Sequence, residues 1–421
     1  MTQQRLFARS LFDHAIQAAE PASAVQRSLS AAPLPALPDG RLILIAVGKA
    51  ACAMIEEAMD HAPQSATVQA IAVTNYENAR PIEGCEVIAA GHPVPDENGL
   101  KASERITEIL TKAGSSDFIL TLISGGGSAL LPSPIEGITL QDKIKTNELL
   151  LSNGYEIGEM NLIRQQLSRL KGGGMTCLAS PAPVRSLIIS DVIGDDLRVI
   201  ASGPTVSPIG TAEQAAKLLR SRGHFEKLPK NVQRHLNNGT SKNSDTLQQV
   251  QNQLICSNLY SLNAMHAAAD NWNPQLVSDN LQGNVKEASL EIANFIKGQK
   301  PNGPQVFLWG GETTVNVSGS GRGGRNQELA LRVALNLKSM PRNWVFLSGG
   351  TDGRDGPTDA AGGLVDAKTP ERILTAGGDI TKLLDNSDSY HALSLANDLL
   401  ITGATGTNVA DVQIFVTSGL N

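Results

Sequence analysis

The chain has 421 residues, with 35 lysines and arginines against 41 aspartates and glutamates, giving a formal net charge of −6. That length exceeds what one hydrophobic core ordinarily serves and predicts two domains, while an apolar fraction of 41% excludes wholesale disorder. No apolar run approaches the roughly 20 residues that span a bilayer, and a mildly acidic chain without a basic tract is a poor nucleic-acid binder. Two numbers stand out: 40 glycines and only 4% aromatic residues. Glycine in such excess, without a collagen period, belongs in loops where backbone turns tightly or approaches a ligand.

The first residues, Met1–Glu20, place Leu6, Phe7, Leu11, Phe12, Ala15 and Ile16 on one helical stripe, which predicts a folded first helix rather than a transit peptide. Leu42–Val47 reads as a buried strand ending at Gly48, followed by a helix over Ala50–Asp60. Strands over Val68–Thr74 and Glu86–Ala90 precede a helix over Asn98–Lys112. A strand over Phe118–Ser124 leads to helices over Leu140–Ser152 and Glu156–Arg169, and Val184–Ser190 is again a buried strand. This alternation predicts an α/β fold whose larger domain is a Rossmann-like, doubly wound, mostly parallel sheet. Such sheets bind ligands outside the carboxyl ends of their strands.

Composition changes over Asn231–Gln253. The polar, turn-rich stretch Asn237–Asp245 is the candidate boundary, so residues 1–240 form one domain and 241–379 a smaller α/β domain, with 380–421 returning to the first. Beyond the boundary we expect a strand at Leu254–Ser257 and helices at Leu259–Asp270 and Asn284–Lys297. Strands at Gln305–Trp309 and Thr313–Val317 precede a helix at Gln327–Leu337 and a strand at Trp344–Ser348. Helices near Pro370–Thr375 and Ser389–Ala396 precede a last strand at Asp411–Val416. The active site is expected in the cleft between the two domains.

The glycines gather where these strands end: Gly48-Lys49-Ala50, Ser124-Gly125-Gly126-Gly127-Ser128, Ser190 to Asp196, Gly310-Gly311-Glu312-Thr313, Gly319 to Glu328, and Ser348 to Gly356. A strand, a glycine loop and a helix aim backbone N–H groups and a helix N-terminus at an anion. Six such loops point to a ligand with several anionic groups. Gly125–Gly127 also suits a plain tight turn. Lys49, in the first turn of a helix, is placed against the macrodipole unless an anion lies between them, and Arg325 repeats that logic. Asp191, Asp352 and Asp355 either cap turns or face phosphates through a divalent cation. The four cysteines, Cys52, Cys85, Cys177 and Cys256, show no metal or disulfide spacing and suit reduced thiols in the cytoplasm.

A rival reading uses the same residues. Gly319-x-Gly321-x-x-Gly324 matches the dinucleotide fingerprint after an expected strand and before a helix. Asp352 stands 28 residues past Gly324, later than the roughly 20 at which the ribose-binding acid is sought. Arg322 and Arg325 make the loop cationic, which suits a triphosphate better. Gly48-Lys49 lacks the remainder of a Walker A loop.

Taken together, Ala46-Val47-Gly48-Lys49-Ala50, Gly91-His92-Pro93-Val94-Pro95-Asp96, Leu122 to Leu130, Asn161 to Lys171-Gly172-Gly173, Ile189 to Asp195 and Ser202-Gly203-Pro204-Thr205 resemble the class II glycerate kinases. Gly310-Gly311-Glu312-Thr313-Thr314, Gly323 to Glu328 and Thr351-Asp352-Gly353 complete the pattern of a glycerate kinase domain followed by a MOFRL domain. The resemblance covers residues 5–416. It implies a transferase of carbohydrate-acid metabolism that phosphorylates D-glycerate at the 2-hydroxyl with ATP and Mg²⁺ or another divalent cation, with Lys49 and Arg325 in catalysis. Expected partners are D-glycerate and ATP, with neither nucleic acid nor membrane, and a homodimer is allowed. Some relatives carry a hydroxypyruvate reductase label, which makes an NAD(P)H-dependent oxidoreductase the alternative. A non-catalytic sugar-acid binding protein is the third reading.

Phosphoryl transfer asks for positioning and charge neutralisation more than covalent chemistry. Ser124, Gly125, Gly126, Gly127, Ser128 and Lys49 are expected to hold the glycerate, with His92 as a substrate contact or a structural turn. Gly310, Gly311, Glu312, Thr313, Gly321, Gly323, Gly324 and Asn326 are expected around the nucleotide, with Arg325 neutralising the transferring phosphoryl group. Asp191 is expected as general base or metal ligand and Asp352 as second metal ligand, roles that could be exchanged. Lys49→Ala and Arg325→Ala are both expected to fold normally and lose turnover.

Overall fold

A computed structural model describes residues 2–238, 250–299, 303–341 and 343–418. The chain divides into two compact units, Pro21–Ile255 and a second built from Met1–Glu20 with Cys256–Asn421.

The first unit contains strands β1 (Arg41–Val47), β2 (Thr67–Asn75), β3 (Cys85–Ala90), β4 (Phe118–Ile123), β5 (Val184–Ile189) and β6 (Val250–Cys256), in the sheet order β3-β2-β1-β4-β5-β6. β1 pairs in parallel with β2 and β4, β2 with β3, and β4 with β5. This is the strand order of doubly wound nucleotide-binding sheets, and the order reverses between β1 and β4. β1 is apolar along its length because both of its faces are covered. Ile43, Ile45 and Val47 pack with Ala102, Ile106 and Ile109 of the Glu97–Thr111 helix and with Met175. The alternate residues Leu42, Leu44 and Ala46 are equally buried, and the Ala51–Asp60 helix packs on β1 and β2.

The helices Leu140–Ser152, Ile157–Gln166, Ala212–Ser221 and Lys230–Asn238 share a separate apolar cluster that includes Leu150, Met160, Ile163, Leu219 and Val232.

The second unit contains β7 (Pro274–Leu281), β8 (Gln305–Gly311), β9 (Trp344–Gly350), β10 (Gly362–Asp366), β11 (Leu399–Leu400) and β12 (Asp411–Thr417), in the order β11-β10-β9-β12-β8-β7. β12 runs antiparallel to both β8 and β9, and only β7 with β8 is parallel. One face packs on the Val285–Gly298 and Arg325–Asn336 helices through Ile292, Phe307, Leu329 and Phe415. The other packs on the Gln3–Ala18 helix through Leu11, Phe12, Leu308, Leu347 and Ile414.

Three expectations are corrected here. The chain's last strand does not return to the first sheet: it lies between β8 and β9, where Ile414 and Phe415 serve opposite apolar faces of the second sheet. The first helix also belongs to the second unit, held by Arg5 Nη2 on Asp398 Oδ1 at 2.6 Å and by its apolar stripe. The proposed boundary Asn237–Asp245 lies, from residue 239 onward, outside the described residues. The third correction concerns Thr313–Val317, where the pairing among described residues is a single bridge from Thr314 to Asn284.

Candidate functional site

In the first unit, the loops that leave β1 and β4 flank the reversal point and are bonded to each other. Lys49 N donates to Gly125 O at 2.9 Å and Ala50 N to Ser124 Oγ at 3.1 Å, while Ser124 N donates to Val47 O at 2.9 Å. Gly48 has φ +127°, and a Cβ there would lie 2.2 Å from Ser124 Oγ. Only glycine allows this approach, so the sequence's first two glycine loops are one structure.

Around that structure the expected side chains converge. Gly126, with φ +86°, has His92 Cδ2 and Lys49 Cγ within 3.3 Å of where a Cβ would stand. Gly125 faces Asp191, whose Oδ2 would be 2.0 Å from a Cβ. Burial pushes the Asp191 carboxyl above its ordinary range, against its own backbone N–H and the charge of Lys49. Burial also lowers His92, helped by Lys49 and opposed by Glu77, which keeps the imidazole neutral at physiological pH. Ser128 Oγ hydrogen-bonds Ser202 Oγ at 2.7 Å, and Ser202 Oγ donates to Asn161 Oδ1 at 2.6 Å. Lys49, His92, Ser124–Ser128 and Asp191 are thus brought together.

A cleft of about 190 Å³ opens beside them, lined by His92, Gly126, Ser128, Lys143, Asn147, Arg164 and Lys171 among others. Lys143 Nζ donates to Leu167 O at 3.1 Å, and Lys171 Nζ to Ser128 O at 2.5 Å and Leu131 O at 3.1 Å. Lys143, Arg164 and Lys171 were not singled out as site residues from the sequence. The available signal was position: Arg164 follows Ile163 and precedes Leu167 by one helical turn, so it borders a buried stripe.

The second unit treats its expected residues differently. Arg325, first residue of its helix, binds Asp411 through Nε at 2.6 Å and Nη2 at 3.0 Å, and Glu312 through Nη1 at 2.8 Å. Burial opposes its charge, but Asp411, Glu312 and Asp355 hold the guanidinium above its ordinary range. Asp355 takes the helix N-terminus, accepting from Asn326 N at 3.1 Å and Gln327 N at 2.8 Å. Burial raises its carboxyl to about 6 despite those two amides. Gly324 lies flat against it, since a Cβ would be 2.4 Å from either carboxylate oxygen.

The glycine loop before that helix is also spoken for. Ser320 N donates to Asn386 Oδ1, Gly321 N to Asn386 O and Arg322 N to Asp388 Oδ1, at 2.9–3.1 Å. A Cβ at Gly323 would meet Ser389 Oγ at 2.1 Å. These glycines let the loop pack on residues 386–389, and the segment before them is not a strand. The dinucleotide fingerprint therefore lacks its strand, and three of its backbone amides are already bonded within the protein. Gly310 abuts Asn258 Oδ1 and Gly311, with φ +145°, abuts Leu281 backbone. Thr313 and Asn326 are buried, and Asn326 Oδ1 accepts from Ser348 Oγ at 2.6 Å. Asp352 is partly exposed, with Oδ1 accepting from Arg354 N at 3.0 Å. Asp191 and Asp352 belong to different units, and among the described residues no three His, Cys, Asp or Glu side chains form a group able to hold a metal ion.

The fold is that of an α/β protein with a doubly wound sheet, and a lysine, a raised carboxyl and a cleft lined by Lys143, Arg164 and Lys171 lie at the reversal point of its strand order. The family model described as a domain of unknown function, DUF4147, matches residues 7–237, and that of the MOFRL family matches residues 305–411. The chain is 39% identical over 95% of its length to a D-glycerate 2-kinase from Thermotoga maritima, 95% of which is covered. It is 39% identical over 96% of its length to a putative hydroxypyruvate reductase from Agrobacterium vitis, 92% of which is covered. A crystal structure of glycerate kinase from Thermotoga maritima superposes with a TM-score of 0.90 at 38% identity, covering 98% of this chain and 99% of that one. The chain belongs to the glycerate kinase family.

Proposed function

We propose that the protein transfers the γ-phosphoryl group of ATP to the 2-hydroxyl of D-glycerate. The observation that carries this reading is the convergence of Lys49 and Asp191 on Gly125 and Gly126 at the reversal point of the first sheet. A carboxyl raised by burial takes a proton from an alcohol more readily than an ordinary one, and so Asp191 is the general base. Lys49 stabilises the alkoxide and the incoming charge. The amides of Gly125 to Ser128 and the cleft beside them hold the acid.

In the second unit Arg325 meets the nucleotide phosphates. Its contact with the half-exposed Glu312 is the one a phosphate displaces, while Asp411 keeps the guanidinium aimed. A divalent cation that arrives with a nucleotide takes most of its oxygens from phosphates and water and needs one or two carboxylates. Asp352 is the residue on offer, and the ion would neutralise charge on the transferring group.

Purified protein with D-glycerate, ATP and Mg²⁺ should release ADP and form 2-phosphoglycerate. No ADP, or 3-phosphoglycerate as product, would refute the reading. The hydroxypyruvate reductase alternative rests on the name of the Agrobacterium vitis relative. It predicts oxidation of NADH or NADPH by hydroxypyruvate, and the Gly319–Gly324 loop, with the amides of Ser320, Gly321 and Arg322 already bonded, is a poor pyrophosphate cradle.

A further inference from the structure

Arg164 lines the cleft from the Ile157–Gln166 helix, among the buried residues Met160, Ile163 and Leu167. Its Nε donates to Asn147 Oδ1 at 2.9 Å, and its Nη2 reaches the same oxygen. One neutral amide oxygen is therefore the acceptor for two of its nitrogens, and among the described residues no carboxylate pairs with it. Arg5, Arg41, Arg325 and Arg372 all differ, since each is paired with an aspartate. Burial without a counter-charge pulls the Arg164 guanidinium down to about 10. Such a group is costly to keep, and the cost is recovered when a ligand supplies the anion.

We propose that Arg164 receives the substrate's carboxylate, held for it by Asn147, and so selects small hydroxy acids over neutral polyols. This rests on the kinase reading above and names the group that sets its substrate class. A planar guanidinium on a residue lining a cleft matches a carboxylate in two parallel hydrogen bonds, which a lysine cannot copy.

Thermal shift without nucleotide tests it on wild type, Arg164→Met and Arg164→Lys, each with D-glycerate, glycerol or inorganic phosphate. Ligand-free Arg164→Met should melt at or above the wild-type temperature, because an uncompensated charge has gone. D-glycerate should stabilise the wild type, the Lys variant less and the Met variant not at all. With ATP, Arg164→Met should lose roughly 10² in kcat/KM for D-glycerate, chiefly through KM, and nothing for glycerol. An unchanged glycerate shift and KM in Arg164→Met would overturn the proposal. So would a fall in melting temperature in both variants, which marks a structural arginine. A phosphate shift exceeding that of glycerate, and lost in Arg164→Met, would replace the carboxylate by a phosphoryl group and also overturn it. Absence of ADP from the wild type counts against the kinase reading alone, since the glycerate shift still decides Arg164.

Discussion

Asp411 grips the guanidinium of Arg325 with both carboxylate oxygens, at 2.6 and 3.0 Å, across 86 residues of sequence. The carboxylate is almost wholly buried, while the arginine is about one-third exposed. Arg325→Ala therefore leaves a buried charge without its partner. Breaking a fully buried pair costs roughly 3–5 kcal/mol, and solvent at Arg325 reduces this to about 2–3 kcal/mol. The variant should unfold at lower urea, contrary to the expectation that it folds normally. The double variant Arg325→Leu/Asp411→Leu should recover most of that stability and remain without kinase activity. Equal urea midpoints for wild type and Arg325→Ala would show that the pair is not stabilising.

Lys49→Ala is a cleaner test of charge. The side chain lies over Gly126, and its loop is held by backbone bonds that alanine keeps. Turnover with ATP and D-glycerate should fall by about 10²–10³, as for loss of one fixed electrostatic donor. The urea midpoint should stay within about 0.5 kcal/mol of wild type, as for most substitutions outside the core. A large stability loss would make Lys49 a structural residue.

Gly125→Ala probes Asp191 without changing its chemistry. The new Cβ would stand 2.0 Å from Asp191 Oδ2, so the carboxylate must move. Activity should fall nearly as far as in Asp191→Asn. The acid limb of the wild-type kcat/KM profile should lie above the ordinary aspartate range, because burial raises Asp191; it should be missing from the residual activity of Asp191→Asn. Retention of that limb in the variant would assign it to another group.

Asp355 makes stability depend on pH. Its carboxyl is raised to about 6 in the fold, against about 3.9 unfolded. As pH rises from 4 to 6 the unfolded chain gives up its proton first, so the native state loses stability. Two units at about 1.4 kcal/mol each give about 3 kcal/mol, complete above pH 6. Urea melts at pH 4.5 and 6.5 should show this decline in wild type and a smaller one in Asp355→Asn. Parallel changes in the two proteins would remove Asp355 as the cause.

Periodicity located most elements to within a few residues, because strands such as β1 are apolar throughout when both faces are covered and amphipathic helices repeat every turn. β7, β10 and β11 were missed, as were the Pro21–Ala31, Ala212–Ser221 and Lys230–Asn238 helices. β7 carries Ser278, Asp279 and Asn280 on a partly exposed sheet edge, and β10 opens with two glycines. The Lys49 and Ser124–Ser128 loops could be read as one substrate site beside the resemblance to the glycerate kinases, since a strand-end glycine run alone suits a tight turn equally well. Arg164 could not, since a charged residue in a helix ordinarily faces water.

The sequence by itself determined that this is a two-part α/β protein, and its strand-end glycines marked where backbone comes close to something else. Only the tertiary structure decided what that something is. At Gly48, Gly125 and Gly126 the neighbours are Ser124, Asp191, His92 and Lys49, which leaves chemistry at the loop. At Gly321, Gly323 and Gly324 they are Asp388, Ser389 and Asp355, which consumes the loop in packing. Both sets of glycines read alike along the chain, because a missing side chain records that space is filled and not by what. The filling comes from residues up to 77 positions away in the first unit and 67 in the second, counting Lys49 to Gly126 and Gly321 to Asp388. Long-range packing sets titratable side chains beside the one loop and buries the other against residues 386–389 and Asp355.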